Sequence, residues 1–194
     1  MHYVNISNHP ESYLTASTLS NMIERTKTVG SGYFACTDNG SLVSILKANS
    51  VCKDKKLKLI PGIELYFKDD DCPLINGTPS EQSKYFKVLM YFKDQNAYQK
   101  MVLMISDPLR KKVKISEDFE YPIFNWKDLE DLATYNVIVS TSGVEDIVTK
   151  HILFNRPDIS KKYYDKMVSI FGENYTPALC TFTHTHYQER FVKL

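Results

Sequence analysis

The chain has almost no excess of charge. Lys+Arg 24 against Asp+Glu 23 leaves a formal net charge of +1 over 194 residues. That balance argues against nucleic-acid binding by bulk charge and leaves room only for a local basic patch. Cysteine is scarce. Cys36, Cys52, Cys72 and Cys180 form no C-x-x-C pair, so a zinc knuckle is not expected and a reducing cytoplasm fits. Cys36 sits in an apolar run and reads as a small core residue. No apolar run approaches the length of a membrane span. The opening MHYVNISNHPESYL lacks a basic region and a long apolar core, so no signal peptide is expected. The acidic run Asp69-Asp70-Asp71 lacks the Gly and distal Glu of a calcium loop and reads as a solvated turn. There is no internal repeat, low-complexity tract or linker, so residues 1–194 read as one domain with room for a sizeable core.

What is present centres on Tyr33 to Phe67. A short apolar run, Tyr33 to Cys36, ends in Thr37-Asp38-Asn39-Gly40. A helical pattern follows, with Leu42, Ile45, Leu46 and Ala48 or Asn49 near one face. A second apolar run from Leu57 to Phe67 carries one acid, Glu64. This is a strand, helix, strand unit whose apolar runs suit a parallel sheet. Asp38 and Glu64 are then expected near the C-terminal rim, where open α/β sheets bind ligands.

The other elements follow from caps and breakers. Tyr3 to Ser7 alternates as a short strand. Ser17 or Thr18 caps a helix that Gly30 and Gly32 end. Residues 69–83 read as a loop and Lys84 to Phe92 as a strand. Asp94 or Asn96 opens a helix that Pro108 closes. The basic stretch Leu109 to Lys114 either touches a phosphate backbone or is a loop facing neighbouring acids. Asn125 caps a short helix, and Val137 to Gly143 is a strand ending in a small polar turn. Glu145 to Leu153 is helical, as is the stretch from Pro157 to Gly172. Tyr175 to Thr183 reads as a strand at an edge or bulge, because of Pro177.

Three groups could carry chemistry. His9, Asp38 and Glu64 could share one rim and hold a divalent metal. The alternative is that Asp38 caps the following helix and Glu64 makes a surface pair. His184 and His186 share one face of a strand and could chelate, or be a plain surface pair. Ser140-Thr141-Ser142-Gly143 could meet a phosphate through backbone N–H groups, but it lacks the lysine of a P-loop. No Ser/His/Asp or Cys/His catalytic set stands out.

The order and wording of these segments resemble the PHP domain that opens bacterial DNA polymerase III alpha subunits. The family phrase F-V-H-L-H-V-H-S-E-Y-S-L-L-D-G stands here as Tyr3-Val4-Asn5-Ile6-Ser7-Asn8-His9-Pro10-Glu11-Ser12-Tyr13-Leu14. A-L-T-D-H-G-N stands as Ala35-Cys36-Thr37-Asp38-Asn39-Gly40-Ser41. K-P-I-I-G-C-E-V-Y stands as Lys58-Leu59-Ile60-Pro61-Gly62-Ile63-Glu64-Leu65-Tyr66. Weaker echoes run from Met90 to Met101 and from Val139 to Val144. The resemblance implies an α/β fold, a distorted (β/α) barrel of the PHP type, incomplete by at least one strand at the C-terminal end.

In active members of that family these phrases supply ligands to a cluster of up to three metal ions, which activates water for phosphoester hydrolysis. Here the first phrase has Asn5 and Ser7 at two His positions and keeps His9. Its Asp falls near Ala16. Asn39 stands for the His of the second phrase, Phe86 for a fourth-strand His, and Val144 for a Cys. The resemblance therefore implies residual metal ligands at His9, Asp38 and Glu64 and no catalytic residues. No cofactor is expected, beyond residual Zn or Mn. The expected role is a degenerate PHP domain of a replicative polymerase, bacterial or phage. It would be a cytoplasmic scaffold that docks replication proteins, such as a proofreading exonuclease or the rest of the polymerase. It would meet DNA only indirectly and no membrane. The alternatives are a metal-dependent phosphoesterase with a reduced site, helped by His184 or His186, and a stand-alone phage protein reusing the fold to bind a partner.

Overall fold

One face of the central strands of a mixed sheet is apolar, and the helices gather on it. A computed structural model describes residues 4–6, 18–73, 84–114 and 120–177. They form β1 (Val4–Ile6), α1 (Leu19–Thr28), β2 (Tyr33–Asn39), α2 (Val43–Asp54), β3 (Lys58–Lys68) and β4 (Tyr85–Phe92). Next come α3 (Gln95–Ser106), β5 (Lys112–Lys114), β6 (Glu120–Phe124), α4 (Trp126–Ala133), β7 (Val137–Thr141), α5 (Ile147–Leu153) and α6 (Pro157–Phe171). The main sheet runs β1-β2-β3-β4-β7, with β6 also paired to β3 and β5 to β6. Among the described residues the sheet is open rather than closed into a barrel. His9, His184, His186 and all but the first residues of the Tyr175–Thr183 stretch lie outside the described residues.

Several helices start where their own N-cap side chain takes up an orphan N–H. Thr18 caps α1, Asp94 caps α3, and Asn125 caps α4 in a reciprocal box with Asp128. Pro157 opens α6, where its missing N–H costs nothing, and Gly172 with φ +54° follows its last turn. Apolar residues then recur at helical spacing: Leu19, Met22 and Ile23 on α1, Ala97, Met101 and Met104 on α3, and Tyr163, Met167 and Phe171 on α6. They pack on Phe34 and Cys36 of β2, Ile63, Leu65 and Phe67 of β3, Phe86, Val88 and Met90 of β4, and Val139 of β7. Burying side chains of this size is worth about 1.5–3 kcal/mol each before chain entropy is charged against it.

The parallel expectation holds only for part of the sheet. β1, β2 and β3 are parallel, but β4 runs antiparallel to both β3 and β7. An apolar run buried on one face and half-covered on the other fits either direction, so composition could not separate them. Leu46 was expected on the core face but is 75% exposed, and Ile45, Ala48 and Cys52 carry that face instead. The basic stretch ends in a short strand, β5, that pairs with β6 as an antiparallel ribbon. α5 starts at Ile147, after a 3₁₀ turn over Gly143–Glu145, rather than at Glu145. Beyond α6, Tyr175 bridges Val139 in parallel, at the start of the strand expected there.

β3 is the longest strand and has two successive neighbours on one side. Lys58 to Glu64 pair with β2, and Tyr66 and Phe67 pair with β6. Gly62 lies where the sheet is tightest. A Cβ there would sit 2.6 Å from the Met90 carbonyl oxygen and 2.9 Å from the Tyr91 ring.

Candidate functional site

Strand register decides which side chains share a face. Asp38 pairs with Ile63, and Asn39 pairs with Glu64. Paired residues point to the same side and neighbours along a strand to opposite sides. Asp38 therefore faces the helices with Ile63, while Asn39 and Glu64 face the other way. The structure does not bring Asp38 and Glu64 together.

Asp38 is 1% exposed, and its Oδ2 accepts the Ser44 N–H at 3.1 Å in the first turn of α2. A carboxylate at a helix N-terminus complements both the free N–H groups and the dipole. This is the capping role, exerted from the neighbouring strand rather than from the residue before the helix.

Glu64 is 9% exposed. Its Oε1 accepts the Ser142 hydroxyl, and its Oε2 lies 3.5 Å from Lys87 Nζ. Lys87 also meets Glu145 Oε2 at 2.6 Å and stands 5.0 Å from the centre of the Tyr66 ring. Burial pulls the Lys87 ammonium down. The Glu64 charge, the Glu145 hydrogen bond and Tyr66 outweigh it and hold the pKa above its ordinary value. Beside them, Asn39 Nδ2 donates to Tyr66 Oη at 3.2 Å. Burial pushes the Tyr66 phenol up, while Asn39 and Lys87 pull against it. Tyr66 packs on Tyr121 of β6, with ring centres 4.8 Å apart. Gly40, at φ +63°, lets β2 end against that ring, because a Cβ there would meet Tyr121 at 2.7 Å.

Sequence reasoning passed over Lys87. It took Phe86 as the position of interest on β4, yet Phe86 pairs with Phe67 on the core face, and Lys87 pairs with Tyr66 on the rim. The signal was available: Lys87 is the one charged residue inside the run Tyr85–Phe92. Val144 lies in the 3₁₀ turn and is half exposed. In Ser140-Thr141-Ser142-Gly143 the hydroxyl of Ser142 is taken up by Glu64.

A second polar cluster, also missed, lies within the core. The His151 Nδ1–H donates to the Ile147 carbonyl at 2.7 Å, which leaves Nε2 to face Cys72 Sγ at 3.5 Å. Tyr163 donates to Asp69 Oδ2 at 2.7 Å. A Cys beside a His suggests nucleophilic chemistry, but the environment opposes it. Burial pushes the Cys72 thiol up and the His151 imidazole down, so neither ionises readily. The cluster ties the segment after β3 to α5 and α6.

The expected metal chemistry can be tested on these donors. Among the described residues no group of three or more His, Cys, Asp or Glu could hold a metal ion. Glu64 already has a partner on each oxygen, and Asn39 offers an amide where a metal would want imidazole. The described residues do not fit a metal cluster. No helix among them is long and apolar enough to cross a membrane.

Comparison with known proteins adds three findings. The sequence model of one family, the PHP domain, matches residues 8–176. Among curated proteins, none matches. One matching crystal structure is of a protein described as a metal-dependent phosphoesterase from Bifidobacterium adolescentis. It aligns at 17% sequence identity and a TM-score of 0.40, over 94% of this chain and 60% of that one. The chain thus spans 60% of the length of that relative.

Proposed function

From the premise that the chain belongs to the PHP domain family, we propose that it works as a scaffold that docks other proteins and not as a hydrolase. The observation that carries this reading is the split of the acids. Asp38 is turned into the core to hold α2, and the rim keeps Glu64 beside the amide of Asn39. A water-activating cluster needs several anionic or imidazole donors converging on one point, and the described part of this rim offers only Glu64 and Glu145, both paired with one lysine.

The wording of the phrases around Asp38 and Glu64 supports a finer reading. The domain belongs with a replicative polymerase of the DNA polymerase III alpha type, bacterial or phage, inside the cell. Its partners are then a proofreading exonuclease or the remainder of the polymerase, and it meets DNA through them.

The test is metal content and turnover together. The chain, dialysed with Zn²⁺ or Mn²⁺ and then freed of excess, is expected to hold substoichiometric metal and to leave phosphodiester model substrates intact. Two or three ions per chain, lost in His9→Ala, would overturn the scaffold reading. So would hydrolysis abolished by Glu64→Gln, and the reduced phosphoesterase would take its place. Cross-linking to a co-expressed polymerase or exonuclease then separates a polymerase module from a stand-alone binding protein.

A further inference from the structure

We propose that the Lys87 ammonium is the resident cation of the rim, a counter-ion supplied by the chain itself that closes the Glu64–Glu145 pair to divalent metals. The inference rests on the scaffold reading and says what holds the rim together in its place.

Lys87 is out of character for its strand. Seven of the eight residues of β4 are uncharged, and its neighbours Phe86 and Val88 are buried in the core. A lysine side chain only 14% exposed loses hydration that it must regain from partners. It regains it from three sides: Glu64 at 3.5 Å, Glu145 at 2.6 Å and the face of Tyr66 at 5.0 Å. Carboxylate oxygens and an aromatic face are what a cation seeks. The three groups come from two elements other than β4: β3 gives Glu64 and Tyr66, and the turn after β7 gives Glu145. Their convergence on one ammonium comes from the fold and not from local sequence. Ser142, from the same turn, holds the second oxygen of Glu64, so that carboxylate cannot swing away. A divalent ion reaching both carboxylates would have to sit beside Nζ. There it would meet a like charge within a few ångströms, in a partly desolvated place where that repulsion is poorly screened.

Removing the ammonium should then create an appetite for metal. Three full-length proteins make the test: wild type, Lys87→Met and Lys87→Met/Glu64→Gln. Met keeps the length and packing of the lysine stem without its charge. Mn²⁺ is the probe, with binding followed by electron paramagnetic resonance and stability by thermal melting. Lys87→Met is expected to melt below wild type, to bind Mn²⁺ at least tenfold more tightly, and to regain melting temperature as Mn²⁺ is added. The double variant is expected to melt above Lys87→Met without metal and to ignore Mn²⁺. If Lys87→Met is as indifferent to Mn²⁺ as wild type, the inference falls and the scaffold reading stands. If wild type itself binds through Glu64, the scaffold reading falls.

A second measurement guards against a variant that does not fold. In amine acylation read by mass spectrometry, wild-type Lys87 should react far more slowly than exposed Lys161. Glu145→Gln, on a side chain 58% exposed, should speed Lys87 several-fold and leave Lys161 unchanged. Equal rates at Lys87 and Lys161 in wild type, or no effect of Glu145→Gln, would overturn the proposal.

Discussion

Asp146 caps α5 from inside the protein. Its Oδ1 accepts the N–H groups of Val148 at 2.8 Å and Thr149 at 3.2 Å, and its Oδ2 has no hydrogen-bond partner among the described residues. Burial pushes its carboxyl up to about 7 from an ordinary 3.8, against the pull of those N–H groups. The folded state therefore holds a proton that the unfolded chain releases. Stability is full below the unfolded pKa and falls as pH rises from 3.8 toward about 7. At neutral pH the loss is on the order of 4 kcal/mol. Asp146→Asn keeps a capping oxygen and removes the titration. Its urea midpoint is expected to stay flat over that window where the wild type declines, and to exceed the wild type at pH 8. An identical slope in both proteins would show that another group sets it. At this scale the sequence was legible in kind and not in direction. It marked Asp38 and Glu64 as special, and both are buried. It could not see that Asp38 aligns with Ile63 and not with Glu64, a one-residue matter of register that decides which face each acid meets.

The β5–β6 ribbon depends on one arginine. Arg110 Nε donates to the Met104 carbonyl at 2.7 Å, and Nη1 to the Ile123 carbonyl at 3.2 Å. Its two terminal nitrogens also grip both oxygens of Asp128, at 3.0 and 3.2 Å. The guanidinium lies 4.3 Å from the centre of the Phe124 ring. It joins the end of α3, β6 and the first turn of α4. Arg110→Ala is expected to cost about 2–4 kcal/mol in urea unfolding and to speed amide exchange in β5 and β6 first. Arg110→Lys should recover little, because an ammonium cannot match the fork. Equal losses in exchange across all strands would argue against a local role. The basic stretch reads as a loop facing neighbouring acids because of its charge, and Arg110 on Asp128 is the part of it that meets one. Helix starts were easier to read, since Thr18, Asp94 and Asn125 act through their own neighbours in the chain. The direction of β4 depended on partners far away in sequence.

At the scale of the molecule, one apolar cluster among the described residues joins the helices to the sheet. Trp126, the single tryptophan, packs against it at a junction. Its ring stacks on Tyr163 with 5° between planes, meets Phe67 edge-on at 5.2 Å, and lies under the Lys166 ammonium at 3.7 Å. Its fluorescence therefore reports on α4, α6 and β3 together. One core predicts one transition: urea midpoints from Trp126 fluorescence and from far-ultraviolet circular dichroism should coincide. A dichroism transition that precedes the fluorescence change would divide the chain into two cooperative units.

The two successive neighbours of β3 also set a timetable for synthesis. On that side, the half of β3 that meets β2 has its partner as soon as the strand leaves the ribosome. Tyr66 and Phe67 must wait for Ile123 and Phe124, 57 residues later. At cellular elongation rates that is a gap of about 3–11 s. During it, one bare strand edge carries a fully buried phenylalanine of the finished protein. A nascent chain arrested within that gap is expected to offer that edge to other strands.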